Sequence, residues 1–268
     1  MKQRIITALI ALPILLLTLV YAAPVPFTVL LCGVVFLAQL ELGAMGLKAE
    51  RRREQWFTAL CGALTVFAMA QQHFTVVLLL LTLTLLLLSV KILFSLSDSS
   101  PEQAIAQIGW LGFGLLYVPL LMGHVPLLHQ LPDGRAWIFL TLLAVMASDT
   151  AAYFTGVNFG RRKLYPLVSP NKSVEGALGG LCGAVLAVLL VKWSLLPAMG
   201  LFEAILLGLV LGSFSQVGDL FESLLKRGCG VKDSGTMIPG HGGLLDRLDS
   251  LLFAFPVTYY AARYWFCA

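Results

Sequence analysis

The chain has 268 residues, of which 59% are hydrophobic and 12% charged, with a formal net charge of +4. Soluble domains carry about 25% charged residues, so this composition excludes an ordinary water-soluble fold. The charge balance is modest, and no nucleic-acid partner is expected.

Runs such as VVLLLLTLTLLLLSV have no polar face. A helix that is apolar all round must lie in a core or a bilayer, and about 20 apolar residues cross a membrane. Barrel-like alternation is absent, so the spans should be helices that satisfy their own backbone groups in lipid. The expectation is an all-α, polytopic integral membrane protein with about nine transmembrane helices. It forms a single membrane domain over 1–268, with N-terminal helices over 1–130 and the chemistry-bearing helices and loops over 135–268.

In chain order the expected spans are 4–23, 25–46, 55–72, 74–95, 104–126, 135–157, 174–196, 200–226 and 243–266. The first resembles a cleavable signal, with a basic start and small residues at Ala22 and Ala23. It is expected to be retained, because the charge pattern is consistent only if it stays. With the N-terminus in the cytoplasm, only Arg135, Lys192 and Arg263 fall outside, leaving 15 of the 18 Lys and Arg inside. That bias orients the chain. The run Arg51–Arg52–Arg53 reads as a topology anchor touching anionic lipid, with a phosphate site as the functional alternative. The five cysteines show no metal-site spacing and read as small apolar side chains.

Ionisable groups at membrane depth are costly and therefore functional candidates. Asp149 closes the sixth span, Asp219 and Glu222 lie late in the eighth, and Asp246 and Asp249 open the ninth. Glu41, late in the second span, shares their depth. Ser215, Asp219, Glu222, Ser223 and Lys226 fall at i, i+4, i+7, i+8 and i+11, one helical face. Asp246 and Asp249 are an i, i+3 pair. Interhelical hydrogen bonds are the plain alternative for such residues. Carboxylates this close repel one another unless a cation intervenes, and oxygen ligands select a hard one such as Mg2+, with a second cation allowed.

Lys226, Arg227, Lys232 and Lys172 suit phosphate groups. Glycines at 228, 230, 235, 240, 242 and 243 would admit a polyphosphate to the backbone N–H groups, or would simply make a flexible connector. Upstream, SDTAAYFTGVNFGRRKLYPLVSPNKSVEG contains the small-xxx-small pair Gly156 and Gly160, which suits helix packing. Ser169 or Ser173 caps the seventh span, and the capped end also suits an anion. His241, between glycines, is a base, a phosphate donor or a loop-ordering residue.

These residues resemble the phosphatidate cytidylyltransferases, also called CDP-diacylglycerol synthases. The family signature reads Ser-x-apolar-Lys-Arg, four residues, Lys-Asp, a small residue, Pro or Gly, His-Gly-Gly, and Asp-Arg-apolar-Asp. It runs unbroken from Ser223 to Asp249, and SDTAAYFTGVNFG and SPNKSVEG look like family blocks. About 40% of the chain carries the resemblance, and Asn171 departs from expectation.

The resemblance implies an enzyme that joins CTP and phosphatidic acid into CDP-diacylglycerol and pyrophosphate with Mg2+. It also implies a homodimer in the bilayer of a bacterial inner membrane, with its site facing the cytoplasm. On this basis Asp219 and Asp246 are the main metal ligands, with Asp149, Glu222 or Asp249 as a further ligand or just behind the ligands. Lys226, Arg227, Lys232 and Lys172 bind phosphates, and Ser173 and Ser223 donate hydrogen bonds. A transporter or channel is the competing class, but the charges cluster at one leaflet and no inverted repeat is visible. A CDP-alcohol phosphotransferase is disfavoured because DGRAW at 133–137 lacks the downstream aspartates of that pattern.

Overall fold

The computed structural model describes residues 23–47, 49–95, 100–237 and 242–266. The chain folds as a polytopic membrane protein of the all-α class, with one short two-stranded ribbon among the described residues. Among the described residues, six helices are long and apolar enough to cross a bilayer. Residues 4–22 of the first expected span, together with Gly240 and His241, lie outside the described residues.

Packing divides the chain into two compact units. One takes residues 1–127 and Asp233–Asp246; the other takes Leu128–Lys232 and Arg247–Ala268.

In the first unit, α1 (Pro24–Gly46) leads through a 3-10 turn (Ala49–Arg51) into α2 (Arg52–Ala70). Helices α3 (Phe74–Leu93) and α4 (Pro101–Met122) follow, and then the short α5 (His124–His129), which runs into the second unit. The QQH break between α2 and α3 is a tight turn in which Gln72 takes a left-handed φ of 58°. Ser100 caps α4 by accepting from the Gln103 N–H at 3.3 Å, and Pro101 occupies the first turn, where it lacks no needed donor. Helices α1 and α4 meet where the Trp110 indole N–H donates to the Leu42 carbonyl at 3.0 Å.

In the second unit, α6 (Gly134–Phe159) is followed by β1 (Lys163–Tyr165), β2 (Ser169–Ser173), α7 (Val174–Ser194) and α8 (Leu201–Gly228). Helix α9 (Leu245–Ala261) begins in the first unit and continues into the second. Helices α6 and α7 approach along small residues. A methyl group at Gly183 would stand 2.6 Å from the Ala147 carbonyl oxygen, and one at Gly180 would stand 3.1 Å from that of Ser148. Helices α8 and α9 cross at Gly218, where a methyl would meet the Asp249 carbonyl at 2.6 Å. Thr141 of α6 donates to Thr258 of α9 at 2.7 Å, a buried polar bond between two spans.

A Gly183→Leu substitution is expected to cost about 1–3 kcal/mol through overpacking. The readout is the apparent melting temperature of the purified protein in detergent. An unchanged midpoint would mean that the α6–α7 seam is not close-packed.

Candidate active site

Helix α8 has 28 residues, roughly 42 Å at 1.5 Å per residue, whereas a hydrocarbon core is about 30 Å thick. Its ends therefore reach the polar boundary, and its C-terminal turns carry the charged residues. Asp219, Glu222, Ser223 and Lys226 follow the spacing expected of one face. Glu222 is fully buried and is ion-paired with Lys226 one turn on. The Ser223 hydroxyl stands 3.5 Å from Asp219 Oδ1.

A two-stranded antiparallel ribbon brings a second cation to α8. It pairs Lys163 with Ser173 and Tyr165 with Ser169. Ser173 is the residue that caps α7, its hydroxyl accepting from the Gly176 N–H at 3.1 Å. Ser169, at the other end of the same strand, is not the cap. Glu175, in the first turn of α7, reaches back to accept from the Arg161 and Arg162 backbone N–H groups at 3.0 and 3.2 Å. With the ribbon fixed this way, Lys172 reaches across to Asp219, Nζ to Oδ2 at 2.6 Å.

Asp149 of α6 lies within Coulombic reach of Asp219, Lys172 and Arg247. Asp249 of α9 feels Asp219, Glu222 and Asp149, and its Oδ1 accepts from the Ser250 N–H at 2.6 Å. Four of the five expected ligand carboxylates (Asp149, Asp219, Glu222 and Asp249) thus share one neighbourhood of the second unit. Three cations attend them: Lys172, Lys226 and Arg247.

Arg227 is turned toward the backbone, with Nε 3.5 Å from the Val168 carbonyl and a terminal nitrogen 3.3 Å from that of Val231. Lys232 is exposed and forms no ion pair among the described residues. Burial pushes the Cys229 thiol above its usual pKa, which argues against thiolate chemistry beside α8.

Asp246 belongs to the first unit, where it organises the signature loop. Its Oδ2 accepts from the Ser234 N–H at 2.9 Å and the Gly243 N–H at 2.8 Å, and lies 2.9 Å from the Ser234 hydroxyl. Glu41 of α1 meets the same loop. Its Oε2 accepts from the Leu245 N–H at 2.8 Å and lies 3.3 Å from the Ser234 hydroxyl. A methyl group on Gly235 would stand 2.7 Å from Glu41 Oε1, so the backbone must come close there.

The loop glycines therefore have local duties. Gly230, with φ of 70°, ends α8 in a Schellman turn, in which the Val231 N–H bonds the Lys226 carbonyl at 2.9 Å. Gly242 takes a φ of 82°. The depth of Glu41 was legible in the sequence but its partner was not. Its signal was a carboxylate late in an apolar span with no cation three or four residues away.

The match to protein-family models covers residues 2–265, and the family is the cytidylyltransferase family. The chain belongs to the cytidylyltransferase family. Relatives named phosphatidate cytidylyltransferase extend over nearly its whole length. The one from Bacillus subtilis is 35% identical over 97% of this chain and 97% of its own. That from Pseudomonas aeruginosa is 38% identical over 99% and 97%, and that from Thermotoga maritima 32% identical over 97% and 95%. This cytidylyltransferase is a nucleotidyl-transferring enzyme, and the carboxylate–cation neighbourhood on α8 is its candidate active site.

The residues suit a hard cation by their chemistry, since all the ligand candidates are carboxylate oxygens. Among the described residues no three acidic, histidine or cysteine side chains already converge on one point. Mg2+ does not require that, because it commonly takes one or two carboxylates together with substrate phosphates.

Proposed function

We propose that this chain transfers the cytidylyl group of CTP to phosphatidate at the inner, cytoplasmic leaflet of a bacterial membrane. A phosphate oxygen of phosphatidate bonds to the α-phosphorus of CTP. The bond from that phosphorus to the β-phosphate oxygen breaks, leaving CDP-diacylglycerol and pyrophosphate. The attacking oxygen is already ionised near neutral pH, so no strong base is needed. The difficulty lies in bringing two polyanions together and in carrying the charge that moves to pyrophosphate, which is a task of positioning and electrostatics.

The observation that carries this reading is the Lys172–Asp219 contact at 2.6 Å amid further carboxylates in a chain of this family. Asp219, with Asp149 and Asp249, would hold Mg2+. The ion would neutralise the polyphosphate and the departing pyrophosphate. Lys172 sits on Asp219, where it can exchange a carboxylate partner for a phosphate. Lys226, Arg227 and Lys232 line the chain just beyond and supply further phosphate contacts. Buried Glu222 keeps Lys226 extended along α8, and Ser223 orients Asp219. The cytoplasmic placement is supported by 15 of 18 basic residues falling on one side of the expected topology.

The test is to incubate the purified chain with phosphatidate vesicles, CTP labelled in the cytosine and Mg2+. Label is expected in the lipid extract, with one pyrophosphate released per label transferred. Pyrophosphate without lipid label, or neither product, would overturn the assignment.

A further inference from the structure

One cavity of about 720 Å3 lies in the first unit and contains none of the residues placed in the active site. Four cations line it, Arg51, Arg52, Arg53 and Lys91, against two carboxylates, Glu50 and Glu54. Two of the cations share one carboxylate. Arg51 donates to the Ser95 hydroxyl at 2.8 Å and lies 3.4 Å from Glu54 Oε1, while Lys91 lies 3.2 Å from the same oxygen. The Glu54 side chain is only 5% exposed and that of Arg51 12%, so these two form the cavity's inner wall, with the half-exposed Lys91 at its mouth. Leu88 and Ile92, fully buried on α3, fix the helix end that carries Lys91 and Ser95.

Arg52 and Arg53 differ. Both are exposed and form no ion pair among the described residues. Beside them stands Trp56, exposed, its ring packed edge-on against Phe36 with centroids 5.5 Å apart. From Trp56 an exposed apolar stripe descends α2 through Leu60, Leu64 and Phe67, at i, i+4, i+8 and i+11. Guanidinium groups bind phosphate in bidentate fashion, and an exposed indole favours the headgroup level.

We propose that this cavity is a binding site for an anionic glycerophospholipid, separate in composition from the active-site residues. The lipid phosphate rests on Arg52 and Arg53, the glycerol backbone lies against Trp56, and an acyl chain follows Leu60, Leu64 and Phe67. A free phosphate would satisfy the arginines but would engage neither Trp56 nor the stripe, which in a bilayer faces acyl chains. The stripe, continuous with the cationic rim, is what favours a lipid.

The full-length protein is purified in a mild detergent and titrated with phosphatidylglycerol or phosphatidylcholine, with retained lipid counted by native mass spectrometry. The wild type is expected to retain one phosphatidylglycerol about 10-fold more tightly than phosphatidylcholine, the effect of roughly one charge-assisted contact. The Arg52→Gln/Arg53→Gln double variant is expected to lose that preference, and Arg53→Gln alone to lose part of it. An Arg161→Gln/Arg162→Gln variant, which removes the same charge elsewhere, is expected to keep it. Inorganic phosphate at millimolar concentration is expected not to displace the lipid.

Equal retention of both lipids by the wild type would overturn the proposal. So would equal loss in the Arg161/Arg162 control, or displacement by inorganic phosphate. Because the readout is binding, these outcomes are independent of whether cytidylyl transfer is found.

Discussion

Replacing Asp219 by asparagine is expected to lower kcat for CTP-dependent CDP-diacylglycerol formation by about 10²–10³-fold, the scale of losing one preorganised electrostatic group. The response to Mg2+ is expected to shift to higher concentration at the same time. Fold stability should change little. The Lys172–Asp219 pair is 27% and 31% exposed on its two sides, and exposed pairs contribute about 0–1 kcal/mol. That contrast separates the two roles open to Asp219: a purely structural ion pair would move the melting temperature slightly and leave kcat alone. A variant with near-normal kcat and an unchanged Mg2+ profile would remove Asp219 from the reaction. Lys172→Met is the companion measurement. Loss of a phosphate contact is expected to raise the KM for CTP, whereas a change confined to thermal stability would reduce Lys172 to a tether.

The second large effect belongs to Glu41, far from Asp219 in sequence and on a helix with no signature residues. Glu41→Leu leaves the buried Leu245 N–H without an acceptor and removes one from beside the Ser234 hydroxyl. A buried group left unsatisfied costs about 1–3 kcal/mol. That cost falls on the loop between Asp233 and Asp246. Backbone hydrogen exchange in that segment is expected to accelerate at least 10-fold, and initial rates of cytidylyl transfer to fall in parallel. Glu41→Gln keeps one oxygen acceptor in place and is expected to preserve most of the protection. If Glu41→Leu left both exchange and rate unchanged, the loop would not depend on Glu41.

Much of this was legible in the sequence for a simple reason: lipid imposes a local rule. Every expected span from 25–46 onward has a helix at its place, because a run of apolar residues must hydrogen-bond within itself wherever water is absent. The charged face of α8 was equally legible, since four-residue spacing is a property of the helix alone. Partners were harder to read. Lys172 lies 47 positions before Asp219, and the ribbon that presents it spans only Lys163–Ser173, interrupted by Pro166 and Pro170, with no alternation long enough to announce a strand. The α6–α7 seam was half visible as Gly156 and Gly160. Its deeper contacts at Gly180 and Gly183 depend on which faces meet, and periodicity does not encode that. The Glu41 contact lies 204 residues away in sequence, with nothing local to mark it.

That separation has a consequence for how the protein is made. The first unit is interrupted: its helices are synthesised early, but its closing segment, Asp233–Asp246, comes after more than a hundred residues of the second unit. At about 5–20 residues per second, roughly 10–40 s pass between the synthesis of Glu41 and that of Leu245. Throughout that interval a carboxylate destined for burial has no Leu245 or Ser234 to receive. Exposing such a group to hydrocarbon is costly, and the partners that bury it arrive only as the ninth helix begins. A nascent chain halted before residue 233 would lack the loop partners of Glu41 and would leave the first unit unfinished.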